Sequence, residues 1–379
     1  MRMQNQLPIP HPDPLGVPGD IGLILFLLYL TFFLHVILMN ALLGGAFMAV
    51  ISEWISRKTN NQQTKDHHIH LAEKLGHILP FSVSLTVSMG IAPLLFVQVI
   101  YGQFFYTSSV LMAWIWLSVV FLIVIGYYSL YAYTRGFERW ANRRYIFMII
   151  SCVMFFLIAF IYVNNLTLMQ TPQKWLDIYT QTNGTGYHWN MDEATLMPRY
   201  LHFAFSAIAV AGMLVLILGM REKKDNALSS FMKRWGGTWF LIGTVANTVV
   251  GFMFYFAIPE TLRTAFTEGT GQMLFLSSHV LFIIGTLAIA AVTFLKANNM
   301  IGWVGIAAML VGIAEKVISR DLLRQEYLKQ VNWTHAVLQT KPQNDVIALF
   351  FISFVAGIGL LLWVYMRYKK EVAAHTQQS

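Results

Sequence analysis

Nine apolar stretches of about twenty residues or more dominate the chain, at roughly 21–52, 78–101, 108–134, 145–169, 199–220, 237–258, 273–295, 301–319 and 345–366. As helices rising 1.5 Å per residue, each is long enough to cross about 30 Å of hydrocarbon, where a backbone must satisfy its own hydrogen bonds. The pattern predicts an all-α fold, a polytopic membrane helical bundle of about nine transmembrane helices. Composition points the same way. Charged residues make up 12% of the chain and hydrophobic residues 56%, against roughly 25% charged in a soluble domain. One soluble core could not bury that much apolar surface, which excludes a soluble enzyme.

Nine crossings put the termini on opposite sides, and basic residues decide which is which. With the N-terminus outside, 17 of the 26 Lys and Arg fall on the cytoplasmic side, as the positive-inside rule requires. The C-terminus is then cytoplasmic. The formal +8 is thus a matter of orientation, and nucleic acid is not expected as a partner. The reading divides the chain into a Pro-rich external tail at 1–20, a single transmembrane helical domain at 21–366 and a cytoplasmic tail at 367–379. External loops are expected at about 170–198 and 320–344. The expected location is a bacterial-type inner (plasma) membrane, with lipid as the immediate partner. Cys152 is the sole cysteine, so disulfides, iron–sulfur ligation and C-x-x-C-H haem attachment are excluded.

Ionisable side chains inside a bilayer are costly and mark function by default. The short list is His35, His77, His202, His279 and Glu315. His77 follows the polar His67, His68 and His70 at an inner helix end, where an interfacial role suffices. His202, His279 and Glu315 come from three different segments and share the outer leaflet, while His35 sits deeper in the first. Neutral imidazole is a standard axial ligand of haem iron, and two helices can clamp a haem without any local motif. A lone membrane histidine can equally bond a neighbouring carbonyl. Glu315, close to Lys316, Arg320 and Arg324, is read either as an ion pair at the helix end or as an iron ligand or proton acceptor. Arg199, Arg263, Arg320 and Arg324 are external guanidinium groups suited to fork onto haem propionates. No P-loop, Rossmann glycine pattern or H-E-x-x-H is present.

Several segments together resemble subunit I of the cytochrome bd-type quinol oxidases. The run L-Y-L-T-F-F-L-H-V-I-L-M-N-A-L-L-G-G-A-F (28–47) is similar to that family's first span, with His35 at the position of a haem-ligating histidine. E-K-L-G-H-I-L-P-F-S-V-S-L-T-V-S-M-G (73–90), followed by Y-G-Q-F-F, resembles the second span. R-Y-L-H-F-A-F-S-A-I-A-V-A-G-M (199–213) resembles the fifth, with His202 where the low-spin haem b histidine falls. The resemblance implies haem b cofactors, two or more, and quinone or quinol as substrate. It also implies a second membrane subunit.

The chain departs from that family at four places. F-L-S-S-H-V-L-F-I-I-G (275–285) offers His279 near the family's methionine ligand, which implies bis-histidine ligation with His202. G-I-A-E-K-V-I-S-R-D (312–321) keeps a glutamate and an arginine but lacks G-R-Q-P-W. The long quinol-binding loop is reduced to about 257–272. S-S-V-L-M-A-W-I-W-L-S-V-V-F-L (108–122) lacks the glutamates associated with proton delivery to oxygen. Retained haem sites without those glutamates point to a haem b electron-transfer subunit of a quinol-linked respiratory complex. Its external redox partner would be of the c-type cytochrome kind. The alternatives are a bd-type oxidase that reduces oxygen and a haem-free structural or transport subunit. His202 and His279 are expected to hold one haem, His35 and Glu315 to serve a second.

Overall fold

A computed structural model describes residues 9–378, with part of the last helix from residue 358 onward described by its backbone alone. The helices are α1 (Ile21–Lys58), α2 (Gln62–Leu111), α3 (Ala113–Arg135), α4 (Arg144–Leu168), α5 (Trp175–Gln181), α6 (Leu196–Arg221), α7 (Asn226–Ala257), α8 (Thr264–Thr267), α9 (Gly269–Phe294), α10 (Asn299–Lys329) and α11 (Asn344–Gln378). Every apolar stretch read from the sequence lies largely or wholly within a long helix. Eight of these are long and apolar enough to cross a membrane; in α11 the corresponding described stretch, Asn344–Gly357, is shorter. The protein is a polytopic helical membrane bundle.

Side-chain caps start several of the helices. Asp20, Asn61, Asp225 and Asn298 each accept a hydrogen bond from a first-turn amide of α1, α2, α7 and α10, satisfying donors that the helix itself cannot.

The helix boundaries correct the sequence reading in several places. Helix α2 begins sixteen residues before the apolar stretch does, because the polar segment from Gln62 is also helical. It contains Pro80 and Pro93 and departs from helical geometry at Tyr101 (φ −120°, ψ 27°) before resuming to Leu111. Only Met112 separates α2 from α3. Helix α6 starts at Leu196, which moves His202 from the first turn to the second. The loop expected at 320–344 is helical up to Lys329. The stretch read as a cytoplasmic tail from 367 continues α11 as far as Gln378, while Ser379 and the first eight residues of the external tail lie outside the described residues. The described part of that tail is tied down: Val17 donates to Gln339 O at 2.8 Å, and its own carbonyl accepts from Lys341 N at 2.9 Å.

Helices α1, α6, α7, α9 and α10 close a ring, in which α6 packs on α1 and α7, α9 packs on α7 and α10, and α10 returns to α1. Glycines set how tightly the ring closes. A Cβ on Gly212 of α6 would lie 2.3 Å from Phe240 N of α7, and one on Gly236 of α7 would lie 2.4 Å from Leu216 N. A Cβ on Gly44 of α1 would run into the Ala207 carbonyl of α6. These backbones touch because no side chain stands between them, the small-residue packing usual in membranes. Further out the helices part. A Cβ on Gly251 would sit 3.5 Å from the His202 ring, an ordinary contact distance.

Candidate cofactor chamber at the outer end of the ring

The opening of the ring is visible in α6 itself. Residues 207–220 are mostly buried, whereas every residue from Tyr200 to Ser206 keeps partial exposure on all sides of the helix. That turn is enclosed without being sealed. His35, His202, Glu315 and Arg320 all come from helices of this ring.

His35 on α1 lies 3.0 Å through Nδ1 from the Thr86 carbonyl of α2. A carbonyl can only accept, so Nδ1 carries the proton and Nε2 keeps its lone pair. The ring stands against Gly90, where a Cβ would come within 2.8 Å of it. His279 on α9 repeats the arrangement within one helix, its Nδ1 bonded to the Phe275 carbonyl and its ring against Phe275 with centroids 4.2 Å apart. Both imidazoles therefore present Nε2 as a free base, oriented by a backbone carbonyl in the way metal-binding histidines usually are. His202 differs. Its Nδ1 is buried with no partner, and so is Oδ1 of Asn247 on α7. Lys316 and His279 both pack against the Phe275 ring.

Glu315 forms no ion pair with Lys316, Arg320 or Arg324. Its Oε2 accepts from Ser277 Oγ of α9 at 2.8 Å, while Lys316 lies over the Phe275 ring at 4.6 Å. Among the described residues no three His, Cys, Asp or Glu gather to hold a bare metal ion. A haem iron has four porphyrin nitrogens already and needs only one or two side chains.

The arginines separate into two kinds. Arg263 donates to the Ile258 and Phe256 carbonyls, both at 3.2 Å, and so covers the C-terminal end of α7. Arg199, Arg320 and Arg324 form a group inside the outer end, close enough for their charges to act on one another. Arg199 uses Nη1 on Gln170 Oε1 at 2.9 Å and leaves Nε and Nη2 buried without a partner. Arg320 lies over Phe32 at 4.4 Å and has no carboxylate within ion-pair distance. Arg324, 1% exposed, pairs with Asp321 at 3.0 Å and leaves Nε unpartnered. Asp321 pairs with Arg324 alone, Glu193 bears electrostatically on Arg199, and Arg320 has no ion-pair partner, so this group leaves room for a further anion. A cavity of ≈ 10 Å³, about the room one water needs, lies among Leu28, Tyr29, Phe32, Val317, Arg320, Asp321 and Arg324.

Sequence reasoning missed Asp321, Tyr29, Tyr101, His335 and Glu53. Asp321 is 2% exposed and accepts from Tyr29, Tyr101, Arg324 and Gln325. Glu53, 1% exposed at the inner end, accepts from Tyr133, Arg144 and Arg57. A buried carboxylate signals itself in sequence only when its helix is recognised to be covered there, and both of these lie at helix ends.

A ring of apolar helices, with histidine, glutamate and arginine side chains toward one end, defines a polytopic helical membrane protein. No protein family and no curated protein sequence matches this chain. Among solved structures, the chain is similar to the bd oxidase from Geobacillus thermodenitrificans at 14% identity and a TM-score of 0.67, with 93% of this chain and 99% of that chain covered. The fold is thus that of a bd oxidase chain, matched almost end to end.

Proposed function

We propose that the protein is a haem b-binding membrane subunit that passes electrons between quinol and an external redox partner. The observation that carries this reading is the pair of imidazoles, His35 and His279, each with Nδ1 bonded to a backbone carbonyl and Nε2 left as a free base. The unbalanced arginines support it. Haem contributes one-electron chemistry when bound; everything else in the site is the work of this chain. His202 and His279 would hold one haem, and His35 with Glu315 would attend a second. Arg199, Arg320 and Arg324 neutralise propionates, while Arg263 holds the end of α7. The fold shared with the bd oxidase supports quinol as the electron donor and a second membrane subunit as partner. The segment 108–122 offers no carboxylate on α3, which favours electron transfer over oxygen reduction.

The test is the dithionite-reduced minus oxidised spectrum of the purified protein. Haem b bands are expected, and His202→Ala should remove the low-spin component with the others retained. Absence of haem bands in the wild type would overturn the reading in favour of a haem-free subunit. Oxygen uptake with a quinol substrate would instead favour the oxidase.

A further inference from the structure

Around Asp321 the hydrogen bonds do not stop at the carboxylate. Tyr101 stands where α2 breaks its helical geometry, and its hydroxyl lies 3.0 Å from both Asp321 oxygens. The same hydroxyl is 3.0 Å from Nε2 of His335, on the turn His335–Val337 of the loop between α10 and α11. His335 is partly exposed. Trp333, itself buried, packs against the rings of Tyr101 at 5.1 Å and His335 at 5.4 Å, walling the chain laterally. At its inner end Asp321 borders the water-sized cavity beneath Arg320 and Arg324. Three side chains, distant in sequence, therefore link that cavity to the outer surface.

We propose that Asp321, Tyr101 and His335 form a proton-transfer chain leading from the arginine-lined chamber to the outside, the exit for protons that quinol oxidation releases. The proposal rests on the quinol reading above for its proton source, though not for its geometry. A proton arriving through the cavity converts the Asp321 carboxylate to the acid. The acid O–H then donates to the Tyr101 oxygen while the Tyr101 O–H passes its proton to Nε2 of His335. Two O–H bonds break, at Asp321 and at Tyr101, while an O–H forms at Tyr101 and an N–H at Nε2 of His335. The carboxylate and phenol are restored and an imidazolium remains; it releases its Nδ1 proton to external water, and water-mediated tautomerisation of the neutral ring returns the proton from Nε2 to Nδ1 before the next transfer. No electron moves in these steps.

The surroundings suit the direction of travel. Arg324 from α10 pairs with Asp321, and Tyr29 from α1 and Gln325 from α10 also donate to it, which holds the carboxylate in place beside the Tyr101 hydroxyl. Burial holds His335 below the ordinary histidine range, Asp321 working against that shift and Arg324 with it, so the imidazolium gives up its proton readily.

The experiment uses the full chain in phospholipid vesicles with a short-chain quinol and an external pH dye. His335→Ala should slow external proton release about a hundredfold or more, the usual scale for a lost acid–base group, with the extent of haem reduction unchanged. Free imidazole should restore most of the rate, which a purely structural role of His335 would not allow. Tyr101→Phe should give the same slowing without rescue. Release at the wild-type rate in His335→Ala, or slowing that imidazole leaves untouched, overturns the proposal. If the wild-type protein oxidises no quinol, the quinol reading fails separately. The chain is then read by following Asp321 protonation in the infrared after a pH jump: slowing in His335→Ala with imidazole rescue supports it, and an unchanged rate overturns it.

Discussion

The two ends of the helical ring solve opposite problems with the same residue types. At the inner end Glu53 is surrounded by donors: Arg144 and Arg57 balance it, Tyr133 adds a third hydrogen bond at 3.0 Å, and glycines let the neighbouring backbones touch. At the outer end Arg324 alone pairs with Asp321, Arg199 and Arg324 keep buried nitrogens without partners, and residues 200–206 of α6 are all partly exposed. Low dielectric makes an unbalanced charge expensive. The inner end is therefore a scaffold complete in itself, while the outer end keeps buried polar groups without partners.

Breaking the inner knot should cost most. Glu53→Gln leaves Arg144 buried without its counter-charge, and a loss of about 3–5 kcal/mol is expected, read as a large fall in thermal unfolding temperature in detergent. Gly212→Leu forces a side chain into the Phe240 backbone and should cost about 3 kcal/mol. Its control is Gly251→Ala, whose new methyl meets the His202 ring at ordinary contact distance; an unchanged melting temperature is expected there. Equal damage from both glycine substitutions would contradict the splaying of α6 from α7.

Substitution at the outer end should have the opposite sign. Arg320→Gln relieves crowding with Arg199 and Arg324, so cofactor-free protein is expected to be unchanged or stabilised by up to ~1 kcal/mol, while haem content measured as the pyridine haemochrome falls. A destabilisation as large as that of Glu53→Gln would make the outer arginines scaffold after all.

The smallest effect belongs to the outer loop, where Lys174 bonds Asp192 at 3.2 Å and Glu193 at 3.0 Å. Burial opposes the charge on each of Lys174 and Asp192, but the interactions between them win: Lys174 is raised, with Glu193 contributing, and Asp192 is lowered. A depressed Asp stabilises above its unfolded value of about 4 and is lost as pH falls through the folded one. A raised Lys stabilises below about 10 and is lost as pH rises through its folded value. Because the bridge is partly exposed, Lys174→Met should cost no more than ~1 kcal/mol, seen between those limits and fading outside them.

The helices were legible in the sequence because membrane spans announce themselves through long apolar runs, and α3, α4 and α6 fall within about five residues of their expected positions, while α7 begins eleven residues early at Asn226. Beyond the bilayer that signal ends. Hence the early start of α2 at Gln62 and the continuation of α10 to Lys329 escaped notice. His35, His202, His279 and Glu315 stood out because each interrupts an apolar run. Asp321 and Glu53 did not, since charges at helix ends are commonplace. The partner that gives Asp321 its meaning, Tyr101, lies 220 positions away, a pairing no local pattern contains. Arg263 was grouped with the other arginines on location alone; the structure has it holding the carbonyls of α7.

The bridge between Val17 and the segment 339–341 sets an order of events during synthesis. The first described turn of the chain, including Gly16 with its left-handed φ of 74° against the Gln339 carbonyl, cannot take its final form until the loop before the last helix has crossed to the same side. The clasp that joins Pro14, Val17 and Pro18 to Gln339, Lys341 and Gln343 is consequently among the last pieces to form as the chain emerges from the ribosome. Insertion that stalls before α11 would leave the amino-terminal segment loose and open to an external protease.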